Sequence, residues 1–420
     1  MTDTYPPVVL IGYSAGVLAY LSRFLPDSSI VVVEEPDVVG KRGVHAATVN
    51  STVLRKVVEW EYQLDAAADS FYHHHRDLRP GAVVPIIEYG VPFAARLAER
   101  YGVPGAGYGA ALALRDKRLQ RAITAAAGIP NPRSVQVDGP EQVAAVMAEL
   151  GGPVVLKPAN RQAAVGTKIL RDPSEVPTAW LECLDQEEGE LVPDRPMPLR
   201  MLVEQFIEGE EFSVEMMVYH GRSWFGGVTR KFLFDGPRPI EQGHLHPADI
   251  DQLLADRLLA DTERVVDALG MDCGFVHCEW MVQDGVPYLV ECAGRMAGDG
   301  IIELVDMTWD YDVVGEFYAM MQGKPLGPPP PPKASRFAAT WTTAPPAVGR
   351  IERVEGVEAA KAVPGVRTVA APAVGSETHP LRSSGDRPVL VTAAGDTPAA
   401  ALANAQRAAE LVRIEVRPAD

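Results

Sequence analysis

The chain opens on an unbroken apolar run, Val8-Val9-Leu10-Ile11, that ends at Gly12. A short run of this kind closed by glycine predicts a buried strand. An apolar helical stretch and a second strand, Ile30 to Glu34, follow, which together start a βαβ unit. The intervening Gly12-Tyr13-Ser14-Ala15-Gly16 lacks the full G-x-G-x-x-G spacing, so the unit reads as scaffold rather than as a dinucleotide site. His73-His74-His75 reads as loop, because adjacent side chains on a strand point to opposite faces and do not converge on a metal. Strand and helix signals continue at Val83 to Ile87 and Pro92 to Tyr101, up to the turn-rich Gly102-Val103-Pro104-Gly105.

A helix is predicted from about Leu112 to Ala127, stopped by the breaker cluster Gly128-Ile129-Pro130-Asn131-Pro132. Strands then alternate with helices to about Gly323. The five prolines Pro328 to Pro332 form a stiff spacer, which marks a boundary. Beyond it come short strands, glycine turns, a helix at about Thr397 to Val412 and a last strand.

Composition narrows the class of function. A length of 420 residues suggests two to four domains at roughly 150 residues each. With 47% apolar and 23% charged residues the chain reads as globular. A net charge of -17 argues against nucleic acid as a partner and favours small molecules. The apolar runs fall short of the roughly 20 residues that span a bilayer, and the N-terminus shows no signal-peptide pattern, so no membrane partner and a cytoplasmic location are expected. Cys183, Cys273, Cys278 and Cys292 are too irregularly spaced for a disulfide framework or a paired zinc site and read as reduced.

The chemistry concentrates in a hairpin. Gly274 to Val282 is a strand, Asp284-Gly285 is a tight-turn signal, and Pro287 to Cys292 is the return strand. Glu279 and Glu291 lie equally far on either side of Gly285, so they are cross-strand neighbours within one residue of register. Opposed carboxylates roughly 5 Å apart repel unless something neutralises them. A hard cation such as Mg2+ suits them, because it takes one or two carboxylates and completes its shell with water and phosphates. Arg295 follows in a small-residue turn, where a guanidinium can grip phosphate oxygens.

No G-x-x-x-x-G-K-[ST] occurs, so a nucleotide must be held without a P-loop. Lys117 stands on the helix that opens the second domain, and Lys157 ends the apolar strand Pro153 to Leu156. The loop Asn160 to Gly166 can close over phosphates with backbone N–H groups. The strand Met201 to Ile207 runs into Glu208-Gly209-Glu210-Glu211, acids that suit adenine or ribose but by composition alone are surface turn residues.

In this order, Lys117, Val155-Leu156-Lys157-Pro158, Glu204 to Glu211, His277-Cys278-Glu279 and Glu291 with Arg295 resemble the ATP-grasp superfamily of carboxylate-amine ligases. The resemblance implies an α/β and α+β protein with the ATP-grasp fold. It implies a Rossmann-like pre-ATP-grasp domain at 1–110, the ATP-grasp domain at 111–327, a Pro-rich linker at 328–333 and a small C-terminal α+β domain at 334–420. Carried over by position, Lys117, Lys157 and Gly166 are expected at the ATP phosphates. Glu204 is expected at the adenine amino group, Ile207 at the adenine through its backbone, and Glu211 at the ribose. Glu279 and Glu291 become the magnesium ligands, and Arg295 steadies the transferring phosphoryl group. Where the family has Asn two residues after the second metal acid, this chain has Ala293, so one magnesium would take an extra water or another ligand.

Glu241-Gln242-Gly243-His244-Leu245-His246-Pro247 resembles the E-x-G-H-x-x-P segment of the dipeptide-forming L-amino-acid ligases. That implies Glu241 on a substrate ammonium group and His244 on the carboxylate or tetrahedral intermediate; without the resemblance the segment reads as a surface loop. Arg230 and Lys231 stand open between carboxylate recognition and solvated charge. The expected activity is ATP-dependent joining of an amino-acid carboxylate to an amine, with ADP and phosphate as products and amino-acid or small acid and amine substrates as partners. Two other readings stand beside it: a biotin-carboxylase-like or purine-pathway ligase, and an ATP-binding protein without catalysis. Exposed edges of the C-terminal domain fit a homodimer.

Overall fold

The computed structural model describes residues 5–184 and 189–418. Its first region is a parallel sheet ordered Leu54–Glu59, Ile30–Glu34, Val8–Ile11, Ala82–Pro85. Val8, Leu10, Ile30 and Val32 face one core, while Val9, Ile11, Val31 and Val33 face another. Burial on both faces is why these runs are apolar at every position. The first of those cores also takes in Met217, Phe225, Phe275 and Phe317, so this region is packed against the central sheet that follows.

That central sheet has eight antiparallel strands, in the order Val286–Ala293, Gly274–Gln283, Glu210–Tyr219, Arg222–Leu233, Glu241–His246, Phe337–Thr343, Val389–Gly395, Val366–Ala370. It runs without interruption from before the prolines to after them, because Phe337–Thr343 pairs directly with Glu241–His246. The prolines therefore separate two stretches of chain and not two sheets. Strand Gly349–Glu355, with Glu377–Thr378 and Arg413–Pro418, makes a small sheet at the far end.

A separate four-stranded sheet, ordered Ser134–Val137, Met201–Gln205, Val154–Pro158, Lys168–Leu170, has its own core of Val143, Met147, Val154, Leu156 and Val203. Along Val154–Pro158 the side chains alternate. Val154 and Leu156 enter that core, while Val155 and Lys157 line the cleft between this sheet and the central one.

Three local expectations are corrected. The predicted Leu112 to Ala127 helix is two helices, Tyr108–Arg115 and Lys117–Ala126. The break falls at Asp116, which adopts extended φ/ψ and accepts a hydrogen bond from the Arg118 N–H, the N-cap geometry that starts a new helix. His73 and His74 belong to the last turn of helix Ala67–His74 rather than to a loop, because Ala67, Ala68 and Phe71 bury one face of it. Glu241 to His246 is a strand inside the central sheet and not a surface loop. Gly243 allows this, since a Cβ there would lie 2.4 Å from the Trp341 ring on the neighbouring strand. Among the described residues, no helix is long and apolar enough to cross a membrane.

Candidate active site

The turn at Asp284 and Gly285 has positive φ at both residues, 51° and 73°, the backbone twist that favours a tight hairpin. Near the turn the register is Gln283 with Val286 and Trp280 with Leu289. Continued unchanged, it would set Glu279 opposite Val290 and turn Glu291 to the other face. A bulge between Glu279 and Trp280 leaves Val290 unpaired, after which Glu279 pairs with Glu291, Cys278 with Cys292 and His277 with Ala293. The bulge thus brings the two carboxylates onto the cleft face, while Trp280, Leu289, Cys278 and Cys292 fill the core behind them.

Each acid of the pair is met by a lysine from elsewhere. Lys117 Nζ lies 2.9 Å from Glu291 Oε2 and also donates to the Arg161 carbonyl. Lys231 Nζ reaches Glu279 at 2.6 Å, Glu211 at 2.7 Å and Glu241 at 3.3 Å. Burial alone would lower the Lys231 ammonium, but the charges of Glu211, Glu279 and Glu241 outweigh it and hold it well above the usual lysine range. Burial likewise works to raise Glu279, and Lys231 with His277 holds it well below the usual carboxylate range. His277 bridges Glu279 and the fully buried Glu215; burial opposes its charge, yet Glu215 lifts it to about 10. Burial raises Glu211 despite Lys231.

Across the cleft, Glu204 is bound by Arg121 through Nε at 2.9 Å and Nη2 at 3.1 Å, and by Lys157 at 2.6 Å. Burial favours the neutral acid, but those two cations hold Glu204 down to about 2. The carboxylate expected at an adenine amino group is thus already engaged by two cations; Lys157, which burial lowers, faces the cleft beside it. Ile207 lies just past that strand and borders the cleft. Gly166 sits at φ 70° where a Cβ would meet Pro158 at 2.9 Å and the Cys183 carbonyl at 3.0 Å, so only glycine closes this loop. The loop is tied to the helices below it by Lys117 N to Ala159 O and Arg115 Nη2 to Asn160 O.

At the cleft's other end, Arg295 Nε stands 3.1 Å from Glu88 Oε2, a residue of the first region whose carboxyl burial pushes up. His244 is 1% exposed, and among the described residues neither ring nitrogen has a hydrogen-bond partner; its Nε2 is 3.6 Å from Asp299 Oδ2, too long for a hydrogen bond. A buried, unsatisfied imidazole beside open space is a position that a ligand can complete. Glu241 and Arg295 border the same space.

The cleft has a volume of about 460 Å³ and is lined by all of Lys117, Lys157, Glu204, Ile207, Glu211, Glu241, His244, Glu279, Glu291 and Arg295. Gly166 stands at its edge, between the lining residues Val165 and Thr167. Sequence reasoning left Lys231 undecided; it is 6% exposed, whereas Arg230 pairs with Glu210 at the surface. Along their own strand Phe225, Thr229 and Lys231 are buried at alternate positions, a period that could have separated these two. Arg121, Gln120, Asp299, Ser384 and Arg387 were missed, since nothing local distinguishes them from surface polar residues.

The central sheet and the separate four-stranded sheet both contribute residues to the cleft, with lysines and paired acids between them. Residues 150–303 match the ATP-grasp domain family, and residues 341–417 match the L-amino acid ligase C-terminal domain 2. The chain thus contains an ATP-grasp domain followed by an L-amino acid ligase C-terminal domain 2. The uncharacterized protein y4rH of Sinorhizobium fredii is 26% identical over 346 residues, 81% of this chain and 67% of that protein. The alanine–anticapsin ligase of Bacillus subtilis is 24% identical over 233 residues, 52% of this chain and 49% of that protein, so the match spans about half of that relative. The crystal structure of L-amino acid ligase from Bacillus licheniformis superposes with a TM-score of 0.79 at 18% identity, covering 99% of this chain and 100% of that one.

Proposed function

We propose that the protein activates an amino-acid carboxylate with ATP as an acyl phosphate and joins it to the amine of a second amino acid, releasing ADP and phosphate. The product is a dipeptide or a γ-glutamyl-type amide. The observation that carries this reading is that the Glu279–Glu291 pair, Lys117, Lys157, Arg295 and the unsatisfied His244 all border one cleft. We place a Rossmann-like pre-ATP-grasp domain at 1–110, the ATP-grasp domain at 111–327, a Pro-rich linker at 328–333 and a C-terminal α+β domain at 334–420.

In this reading Lys117 and Lys157 hold the α- and β-phosphates, the loop ending at Gly166 covers them, Ile207 meets the adenine through its backbone, and Glu211 takes the ribose. Glu204 acts by holding Lys157 in the cleft. Glu279 and Glu291 fit magnesium: they are oxygen donors, they share one face, and in the protein alone their charge is offset by Lys231 and Lys117. When bound, magnesium would supply charge neutralisation to the triphosphate.

The rest is positioning by the chain. A carboxylate oxygen of the first amino acid attacks the γ-phosphorus, and the bond to the ADP oxygen breaks. Arg295 balances charge on the acyl phosphate. Glu241 holds a substrate ammonium group. The second amine then attacks the acyl carbon, phosphate leaves with the bonding pair, and His244 accepts the amine proton. The sheet over the cleft keeps water from the anhydride.

The test is incubation with ATP, magnesium and pools of L-amino acids, followed by mass spectrometry. ADP, phosphate and a condensed product are expected only when acid and amine are both present. Formation of AMP, or no nucleotide consumption across the pools, overturns the reading.

A further inference from the structure

One turn of the C-terminal region reaches the cleft through Ser384. Ser383 to Arg387 is held rigid from within: Asp386 Oδ2 accepts from the Arg382 and Ser383 N–H groups and from the Ser383 hydroxyl. From this frame, the Ser384 hydroxyl donates to Glu241 Oε2 at 2.5 Å, and its N–H donates to the Ala163 carbonyl at 3.2 Å. Arg387, whose side chain is 6% exposed, donates to the Ser384 carbonyl at 2.7 Å, the Glu241 carbonyl at 2.9 Å and Asp299 Oδ1 at 2.7 Å. Asp299 in turn faces His244.

The turn therefore touches three parts of the cleft together: the 160–166 loop, the Glu241 to His246 strand and the turn after Arg295. Glu241 and Asp299 are acids that line the space beside His244, and each has one oxygen fixed by this turn, while the second Glu241 oxygen lies 3.3 Å from Lys231 Nζ and the second Asp299 oxygen 3.6 Å from His244 Nε2. A carboxylate fixed on one oxygen presents the other in a set direction, which is what recognition of an ammonium group requires.

We propose that Ser384 and Arg387 are positioning residues of the amino-acid pocket, which orient Glu241 and Asp299 and give the 160–166 loop its seat. The inference rests on the reading of the cleft as an amino-acid ligase site. It makes the C-terminal region part of the site rather than an appendage to it.

Ser384→Ala, Ser384→Thr and Arg387→Lys test it in the full-length protein, with Mg-ATP and the twenty L-amino acids as probes. Ser384→Ala is expected to raise the amino-acid KM by roughly tenfold, about 1.4 kcal/mol, with ATP KM and kcat changed less than about threefold. Ser384→Thr, which keeps the hydroxyl and the N–H, should restore the KM, and Arg387→Lys should lie between. Hydrogen exchange read by mass spectrometry should quicken in Ser384→Ala at residues 241–246 but neither in the first sheet nor at residues 160–166, where the Ala163 carbonyl accepts from a backbone N–H that alanine keeps. An unchanged amino-acid KM, or a fall in kcat alone, overturns the proposal. If the wild-type protein turns over none of the probes, the ligase reading fails, and the exchange comparison alone decides: unchanged exchange at residues 241–246 overturns the positioning role as well.

Discussion

Glu279 and Glu291 face each other across a hairpin whose register would have kept them apart without the unpaired residue Val290. Their pairing makes the clearest prediction. Glu291→Gln should lower ATP turnover by at least about a hundredfold while leaving far-ultraviolet circular dichroism unchanged. A rate near that of the wild type would remove Glu291 from the metal site.

Arg121 connects that bulge to the opposite wall of the cleft. Its Nη2 donates to the Val290 carbonyl at 2.7 Å and to Glu204, while Nη1 reaches Asn131. Arg121→Met leaves a buried carboxylate with Lys157 alone and frees the bulge carbonyl, a loss of about 3–5 kcal/mol. Urea unfolding should show it as a lower midpoint, and a midpoint within error of the wild type would contradict the role.

Gln120 guards the sheet edge. Strand Val286–Ala293 is an outer strand of the central sheet, and the Gln120 amide donates to the Cys292 carbonyl at 2.8 Å and accepts from its N–H at 2.9 Å. Gln120→Leu leaves both backbone groups buried without partners, at about 1–3 kcal/mol. Faster exchange of the Cys292 amide, with the first sheet unaffected, is the expected signature.

His246 gives the protein a specific acid sensitivity. Burial lowers it to about 4, despite Glu215 nearby, and its Nε2 accepts from the Trp309 indole while Nδ1 meets the Thr229 hydroxyl. The folded-state value lies below the unfolded one of about 6.5. The unfolded chain therefore binds more protons, so this contribution is present above pH ~6.5 and is lost as pH falls through about 4. At roughly 1.4 kcal/mol per unit it amounts to about 3 kcal/mol. His246→Gln should flatten that part of the stability-against-pH curve, and an unchanged slope would contradict it.

The alternation of apolar and polar positions made most strands legible: the Ile30–Glu34 limits agree with the sequence reading, and the hairpin around Gly285 follows from Asp284-Gly285. The acids Glu279 and Glu291 were placed to within one residue by counting. The bulge that resolves that residue was invisible, because it is held by the distant Arg121. Lys231 has the composition of a surface lysine, and its burial depends on three acids from three strands. Ser384 and Arg387 lie in a stretch of serine, glycine and charge that reads as loop, and only the continuity of the central sheet past the prolines brings them to the cleft. The break at Asp116 was likewise missed, since an isolated aspartate does not outweigh apolar periodicity on both sides.

The claim that a carboxylate is activated by the γ-phosphoryl group is tested most directly by isotope transfer. An amino acid that supports turnover is supplied with heavy oxygen in its carboxylate, and the released phosphate is analysed by mass spectrometry. One heavy oxygen is expected in each phosphate, carried over when the acyl phosphate is broken by the amine. Unlabelled phosphate, or label found in AMP, would contradict the account.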